Sequence, residues 1–291
     1  MNILNPKADL GDLTPAADRV GRILRGVRRL GVAYSGGVDS AVVVALAVRT
    51  LGADHVLAVL GVSPSLAAAE RTAAHEVAGF IGVPVVEVVT REGERAAYVA
   101  NGPDRCYHCK DELFTRIDAE LVARHGLDAV AYGENADDAR RIDRPGSRAA
   151  TEHGVLRPLA QAGLGKADVR RLARAMRLPC ADKPAAPCLA SRIPHSEPVD
   201  PGKLRQIEEG EAALRGLGFA DSRVRHHGDV ARIELSAADL PRAAAEPTRE
   251  LIVAALRAAG FRFVAIDLAG IQSGAFTLPL LTGPMRTARH D

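Results

Sequence analysis

The chain has 291 residues, of which 47% are hydrophobic, 25% charged and 3% aromatic, with a formal net charge of +2. That length suits one large domain or a core domain with a smaller appendage. The near-neutral balance, with a pI near 8.4, argues against a dedicated nucleic-acid-binding protein, and no apolar run is long enough to span a membrane. Residues 1–12 lack the pattern of a signal peptide, so we expect a cytoplasmic protein whose four cysteines are reduced.

Apolar runs and helical periodicity alternate through the first two thirds of the chain. Each predicted strand is a nearly continuous apolar run, as expected when helices cover both faces of a parallel sheet. The predicted helices span 14–30, 38–52, 67–82, 107–125 and 166–176, and the predicted strands span 31–34, 55–62, 84–90 and 128–132. This alternation predicts an α/β fold with a doubly wound, mostly parallel sheet.

The pattern changes after residues 178–199, a segment with five prolines and two cysteines that predicts a structured loop or hinge. Beyond it, the periodicity predicts a small α+β domain. Its predicted helices span 201–217 and 247–260, and its predicted strands span 222–226, 230–235 and 261–268. We therefore expect one domain over residues 1–195 and a small C-terminal domain over 196–291, serving substrate binding or oligomerisation.

A Ser-Gly-Gly-Val-Asp-Ser sequence at 35–40 lies between the first predicted strand of the sheet and the helix that follows it. Two glycines allow a sharp turn, and the backbone amides, hydroxyls and helix N-terminus together favour binding of phosphate. The loop lacks the Gly-Lys-Ser/Thr ending of a Walker A sequence, so γ-phosphoryl transfer is not indicated. Asp39 among phosphates implies Mg²⁺; the alternative is an ordinary turn that caps a helix. The candidate nucleotide-binding residues are Ser35, Gly36, Gly37, Asp39 and Ser40.

Three further stretches carry residues suited to chemistry. The first, 104–110, holds a CxxC pair at a predicted helix start; the second, 132–138, follows a strand; the third, 182–194, reads Asp-Lys-Pro-Ala-Ala-Pro-Cys-Leu-Ala-Ser-Arg-Ile-Pro. A thiolate at Cys188 would be a good nucleophile, and Arg192 could favour the thiolate form or bind a phosphate. The alternative for Cys188 is a buried apolar cysteine.

Acidic and basic side chains follow the predicted strand 128–132, at the edge where open α/β sheets bind ligands. Asp137 could help to hold Mg²⁺ or orient an adenylate, or it could simply cap the following helix. Arg144 and Arg148 could contact phosphate, although surface arginines are nearly as common in such a loop.

Together the loop and these stretches resemble the ATP pyrophosphatases of the adenine nucleotide α-hydrolase-like fold and, within them, the LarE family of ATP-dependent sulfur transferases. The resemblance covers about residues 23–268, and Cys-Leu-Ala-Ser-Arg-Ile-Pro at 188–194 is its most family-specific part. It implies that a carboxylate of a pyridinium dicarboxylate mononucleotide attacks ATP to give an acyl-adenylate and pyrophosphate, after which sulfur displaces AMP. The product would be a thiocarboxylate on the way to the nickel-pincer nucleotide cofactor, with Asp39 and Cys188 as catalytic residues.

The resemblance leaves two sulfur sources open. In one version of the family, the cysteine that matches Cys188 gives up its own sulfur and becomes dehydroalanine. In the other, which we prefer, a [4Fe–4S] cluster held by Cys106, Cys109 and Cys188 carries an extra sulfide. A structural zinc site that also uses Cys180 is a competing interpretation, although the spacing of the second pair does not fit it.

In the C-terminal part, Arg223 and Arg225 alternate along a predicted strand and should therefore point to one face. The resemblance implies a substrate-phosphate site here, with Glu211 and Glu234 nearby; the alternative is a solvated strand face. Residues 195–196 read His-Ser where members of the family tend to have Tyr-Gly, which puts the geometry of that loop in question.

Two rival functions remain. A cluster-dependent tRNA thiolase shares the loop and a three-cysteine cluster, but such enzymes usually add an RNA-binding module and a more basic surface. A non-catalytic nucleotide-binding module would keep the glycines but has no use for Asp39 and Cys188 together. We expect a small anionic substrate and a homo-oligomer.

Overall fold

The computed structural model describes residues 4–141 and 145–272 of the chain. The chain divides into two compact units. The first unit comprises Met1–Tyr98 and Asp104–Pro187, and the second comprises Val99–Pro103 and Cys188–Asp291. The boundary expected after residue 195 lies a few residues beyond this division.

The first unit is built on a four-stranded parallel sheet in the order β3-β2-β1-β4. Its strands are β1 Leu30–Ala33, β2 Val56–Val62, β3 Val85–Val89 and β4 Ala129–Tyr132. The predicted doubly wound α/β fold is therefore confirmed. The chain runs outward from β1 to β3 and then returns to place β4 on the other side of β1, so a topological switch point lies between β1 and β4, where such folds bind ligands.

Helices cover both faces of this sheet, and its strands are accordingly apolar except at Glu87 in the edge strand β3. One hydrophobic core contains Val32, Leu46 and Leu172, and a second, on the other face, contains Val59 and Phe114. The helices up to residue 175 are α1 Thr14–Ile23, α2 Val38–Leu51, α3 Ala68–Ile81, α4 Ala96–Val99, α5 Arg105–Arg116, α6 Ala123–His125, α7 Ala136–Ala139, α8 Pro145–Glu152, α9 Pro158–Gln161 and α10 Lys166–Ala175.

The structure corrects two predicted helices. The helix expected over 14–30 ends at Ile23, because Gly26 adopts a left-handed conformation (φ 91°) and turns the chain into β1. The helix expected over 107–125 begins at Arg105 and contains a π-helical stretch, Ile117–Val122, between α5 and α6. Helices α4, α7, α8 and α9 were not predicted, since periodicity is weak evidence over four to eight residues.

The second unit contains a three-stranded sheet in the order β5-β6-β7, with β5 Ser222–His227, β6 Val230–Leu235 and β7 Phe263–Ile266. Strands β5 and β6 are antiparallel, and β6 and β7 are parallel. Its helices are α11 Pro201–Gly216, α12 Leu240–Ala244 and α13 Thr248–Ala258. A hydrophobic core that includes Leu214, Val224, Ile233 and Leu256 joins the sheet to these helices, as the predicted α+β pattern requires.

Candidate active site

The glycine-rich loop connects β1 to α2 at the ligand-binding edge of the first sheet. Gly36 has a φ of 72°, and a Cβ at this position would lie 2.7 Å from Ala74, so only glycine fits. The Ser40 hydroxyl donates to the carbonyl of Gly37 at 3.1 Å and accepts from the amide of Ser35 at 3.2 Å. These contacts gather two hydroxyl groups around the N-terminus of α2, which is the arrangement an anion requires.

Gly133, the residue directly after β4, packs closely against this loop. A Cβ on Gly133 would lie 2.5 Å from the amide nitrogen of Ser40 and 2.8 Å from the carbonyl carbon of Asp39. Gly133 was not recognised as a site residue, because the need for a glycine here arises from a close approach between distant parts of the chain.

Asp39 lies at the start of α2 with both carboxylate oxygens engaged. Its Oδ1 accepts from Asn135 Nδ2 at 3.1 Å, and its Oδ2 accepts from Lys166 Nζ at 2.5 Å. Asn135 is itself held by α7, since its Oδ1 accepts from the amides of Asp137 and Asp138 at 3.0 Å. The sequence analysis did not identify Asn135 and Lys166 as site residues, because they lie about a hundred residues or more from Asp39 along the chain.

Asp137 supports Lys166. Its Oδ2 accepts from the backbone amide of Lys166 at 2.7 Å, at the first turn of α10, and a Cβ on Gly165 would lie 2.8 Å from the same oxygen. Asp137 therefore caps α10, a helix that begins almost thirty residues later. Its predicted role in holding Mg²⁺ stays a prediction.

Glu134 is the buried carboxylate directly after β4. It accepts a hydrogen bond from the Ser147 hydroxyl, and its Oε2 lies 3.6 Å from Arg157 Nη1. Burial, and then the neighbouring Glu134, raise the pKa of Tyr132 well above its ordinary value. The Lys110 ammonium lies 4.1 Å from the centre of the Tyr132 ring, which connects α5 to the same edge of the sheet.

The CxxC pair lies on the first turn of α5, where residues three apart share a helix face. Cys106 is exposed and Cys109 is half-buried. Tyr107, between them, donates to Glu152 at 2.6 Å, and the guanidinium of Arg148 lies 3.9 Å above its ring. Arg148, one of the two arginines expected to contact phosphate, thus packs on the CxxC segment; Arg144 lies outside the described residues.

Cys180 is buried in the first unit, and burial raises the pKa of its thiol. In the ranges 4–141 and 145–272, no three His, Cys, Asp or Glu side chains form a group that could hold a metal ion. The accessible thiols are thus Cys106 and Cys109 in the first unit and, in the second unit, Cys188.

In the second unit, Cys188 is exposed and directly precedes a 3₁₀ turn, Leu189–Arg192. Arg192 pairs with Glu211 at 2.8 Å, and both side chains are 5% exposed. The same guanidinium donates to Ser191 Oγ at 2.9 Å and lies 3.4 Å from the carbonyl oxygen of Cys188. Arg192 thus holds the backbone that follows Cys188, and its predicted nucleotide contact stays a prediction.

Arg223 and Arg225 lie on one face of β5, as their spacing predicts, and Glu234 lies opposite Arg223 on β6. Arg225 donates to both carboxylate oxygens of Glu234, at 2.9 and 2.8 Å. Arg223 pairs with the partly exposed Asp221 at 3.0 Å. Both Glu211 and Glu234 are thus buried partners of arginines, and their predicted place in a substrate-phosphate site stays a prediction.

Comparison with known proteins agrees with this geometry. A model of the asparagine synthase family matches residues 17–138, which span the loop, the parallel sheet and Asp137. Over 243 residues the chain is 40% identical to an uncharacterized protein of Synechocystis sp., covering 84% of this chain and 90% of the relative. Over 270 residues it is 33% identical to the pyridinium-3,5-bisthiocarboxylic acid mononucleotide synthase of Lactiplantibacillus plantarum, covering 91% of this chain and 94% of the relative.

The fold and the loop define a PP-loop ATP pyrophosphatase domain, and the protein is an ATP-using enzyme. The synthase of Lactiplantibacillus plantarum is a member of the LarE family of ATP-dependent sulfur transferases. Because the chain is 33% identical to it over most of both lengths, the chain belongs to the same family. Among the residues with a described position, no helix is long and apolar enough to cross a membrane.

Proposed function

We propose that this enzyme adenylates the carboxylates of a pyridinium dicarboxylate mononucleotide and converts them to thiocarboxylates, as a step towards the nickel-pincer nucleotide cofactor. The observation that carries the proposal is the placement of Asp39, Asn135 and Lys166 around the glycine-rich loop. The product named for the Lactiplantibacillus plantarum synthase supports the choice of substrate.

The first step needs a site that binds the β- and γ-phosphates and leaves the α-phosphorus open to attack. The substrate carboxylate forms a bond to that phosphorus, and the bond to the bridging oxygen breaks to release pyrophosphate. The amides at the start of α2 and the Ser35 and Ser40 hydroxyls lie where they would bind the leaving pyrophosphate. Lys166 places a positive charge at the same edge.

The residues fit a magnesium ion, because Asp39 offers a hard carboxylate oxygen directly beside a phosphate-binding loop. Asp39 would hold the ion, and the ion would neutralise charge on the phosphate oxygens.

The second step forms a carbon–sulfur bond at the acyl-adenylate carbonyl and breaks the carbon–oxygen bond to AMP. We propose Cys106, Cys109 and Cys188 as ligands of a [4Fe–4S] cluster, because all three thiols are at least partly accessible and thiolates are the usual ligands of such clusters. When bound, the cluster would supply the sulfide. In the alternative, the Cys188 Sγ forms the carbon–sulfur bond as AMP leaves. Removal of the Cys188 Cα proton by a base then breaks the Cβ–Sγ bond, which releases the thiocarboxylate and leaves dehydroalanine.

The experiment measures pyrophosphate release in the presence of Mg²⁺ and ATP, with and without the pyridinium dicarboxylate mononucleotide. Mass spectrometry then identifies the product. We expect release that depends on the mononucleotide and a product in which sulfur replaces carboxylate oxygen. Asp39→Asn should abolish release. The control Asp54→Asn, in an exposed turn after α2, should retain it. Release that is unaffected by Asp39→Asn would contradict the assignment of this loop.

A further inference from the structure

Asp39, the residue that we propose as the Mg²⁺ ligand, already forms an ion pair with Lys166. Lys166 Nζ lies 2.5 Å from Asp39 Oδ2, and the two side chains are 39% and 21% exposed. The other carboxylate oxygen, Oδ1, accepts from Asn135. Any divalent ion that approaches Asp39 therefore meets an ammonium on one oxygen and an amide on the other.

Lys166 is well placed to leave this contact without disturbing the fold. Its backbone is fixed at the first turn of α10 by Asp137, whereas its ammonium ends a flexible four-carbon stem and is partly exposed. Lys183, the next lysine along the chain, pairs with Glu70 at 2.7 Å. Within the described residues, Lys166 is the cationic side chain that pairs with Asp39.

We propose that Lys166 is an exchangeable counter-ion: it occupies the metal-binding oxygen of Asp39 in the free enzyme and transfers to phosphate when a divalent metal enters with ATP. This inference rests on the proposed use of Mg²⁺ and ATP. An ammonium at one carboxylate oxygen repels a metal ion that approaches the same oxygen, and this repulsion is stronger in a partly buried site than in bulk water. The arrangement lies at the N-terminus of α2, where the arriving phosphates offer the displaced ammonium a new partner.

The exchange has a measurable consequence for metal binding. Without nucleotide, Lys166 competes with the metal and lowers its affinity; with nucleotide, the ammonium has phosphate to bind and the competition disappears. Metal and ATP should therefore bind with positive coupling through one side chain, and that coupling must be reciprocal.

The test uses Mn²⁺ as the probe, with free Mn²⁺ measured by electron paramagnetic resonance on the full-length chain without nucleotide. We compare the wild type with Lys166→Met, which keeps most of the side-chain volume and removes the charge. A partly exposed ion pair contributes up to about 1 kcal/mol, so Mn²⁺ should bind Lys166→Met about threefold to fivefold more tightly. With Mn²⁺ and α,β-methylene-ATP present, the same variant should bind the nucleotide more weakly than the wild type.

The matched control is Lys203→Met, a lysine in the first turn of α11 that pairs with Glu197 at 3.7 Å; its Mn²⁺ affinity should equal that of the wild type. When Asp39→Asn is added both to the wild type and to Lys166→Met, the difference in Mn²⁺ affinity between the two should disappear. Equal Mn²⁺ affinity in wild type and Lys166→Met, or tighter binding that persists without Asp39, would overturn the proposal. Metal exchange without mononucleotide-dependent pyrophosphate release would leave this inference standing and overturn the proposed function instead.

Discussion

Arg225 donates to both carboxylate oxygens of Glu234 and also to the backbone carbonyl of Ser191 at 2.9 Å, in the turn that follows Cys188. The side chains of Arg225 and Glu234 are 5% and 0% exposed. Arg225, which the sequence analysis assigned to a substrate-phosphate site, thus contacts the backbone close to Cys188. Variants of Arg223 and Arg225 can distinguish a role in binding substrate phosphate from a role in stabilising the fold.

Arg225→Ala should destabilise the protein more than Arg223→Ala. Removal of Arg225 takes both of its hydrogen bonds from the fully buried Glu234 and leaves Arg232, whose Nη1 lies 3.3 Å from Glu234 Oε1. The cost should therefore approach, without exceeding, the value of about 3–5 kcal/mol for a broken buried ion pair. Arg223 is also buried, but its partner Asp221 is partly exposed, so its loss should cost less, about 1–3 kcal/mol. Urea denaturation of both variants measures the difference.

The substrate-phosphate assignment is therefore tested with Arg223→Ala, in which the fold is expected to survive. Loss of a charge-assisted contact to phosphate costs about 1.5–3 kcal/mol, so KM for the pyridinium mononucleotide should rise at least tenfold while ATP binding stays unchanged. An unchanged KM for the mononucleotide would place the anion site elsewhere.

Gly133→Ala should disable the phosphate loop although Gly133 lies outside it, directly after β4. The added Cβ would overlap the Ser40 backbone, so the loop must shift and pyrophosphate formation should fall at least tenfold. The control is Gly79→Ala, in α3, where an added Cβ meets nothing within 4 Å. It should keep activity and gain about 0.5–1 kcal/mol of stability, because alanine favours the helix.

Ser196 adopts a left-handed conformation, with a φ of 69°, at the position where members of the family tend to have glycine. Asn101 holds this loop by donating to the carbonyls of Pro194 and Glu197 at 2.7 and 2.9 Å. Ser196→Gly should raise the free energy of unfolding by about 0.5–1 kcal/mol, because glycine has no strain at positive φ. Ser196→Ala keeps the strain and should give no gain; an equal gain in both variants would refute this explanation.

The sulfur source is decided by iron content. A cluster held by Cys106, Cys109 and Cys188 predicts brown protein after anaerobic purification, with about four irons per chain. Cys106→Ala should lose iron and sulfur transfer but still release pyrophosphate, whereas Cys180→Ala, at a buried thiol, should keep the iron. Colourless protein that makes a single turnover, with loss of one H₂S from Cys188, would instead establish the sacrificial route.

His153 should make the stability of the protein depend on pH, through its contact with Asp111 on α5. Its Nε2 lies 2.9 Å from Asp111 and its Nδ1 lies 3.1 Å from Asp118. Burial alone would lower the pKa of His153, but hydrogen bonds to Asp111 and Asp118 outweigh it and raise the pKa above the ordinary 6.5. The stabilisation is therefore fully present below pH 6.5 and lost as pH rises through the folded-state pKa. Thermal unfolding of wild type and His153→Gln from pH 6 to 9 should show the stabilities converging; a constant difference would contradict this.

The sequence by itself determined the fold class and the position of the phosphate loop. Continuous apolar strands and the two glycines at 36–37 are local signals, because strand burial and a tight turn depend on neighbouring residues. The CxxC pair and Cys188 could also be recognised from the sequence, because a short motif is defined by neighbouring residues alone.

Only the tertiary structure decided what contacts the loop and which side chains the arginines pair with. Asn135, Gly133 and Lys166 meet Asp39 or Ser40 from about a hundred residues or more away, and no local pattern records such a contact. The alternation of charged residues on β5 predicted a shared face, but not that Glu234 would be buried against Arg225. Packing between distant elements sets burial, and burial determines how strongly a charge depends on its partner.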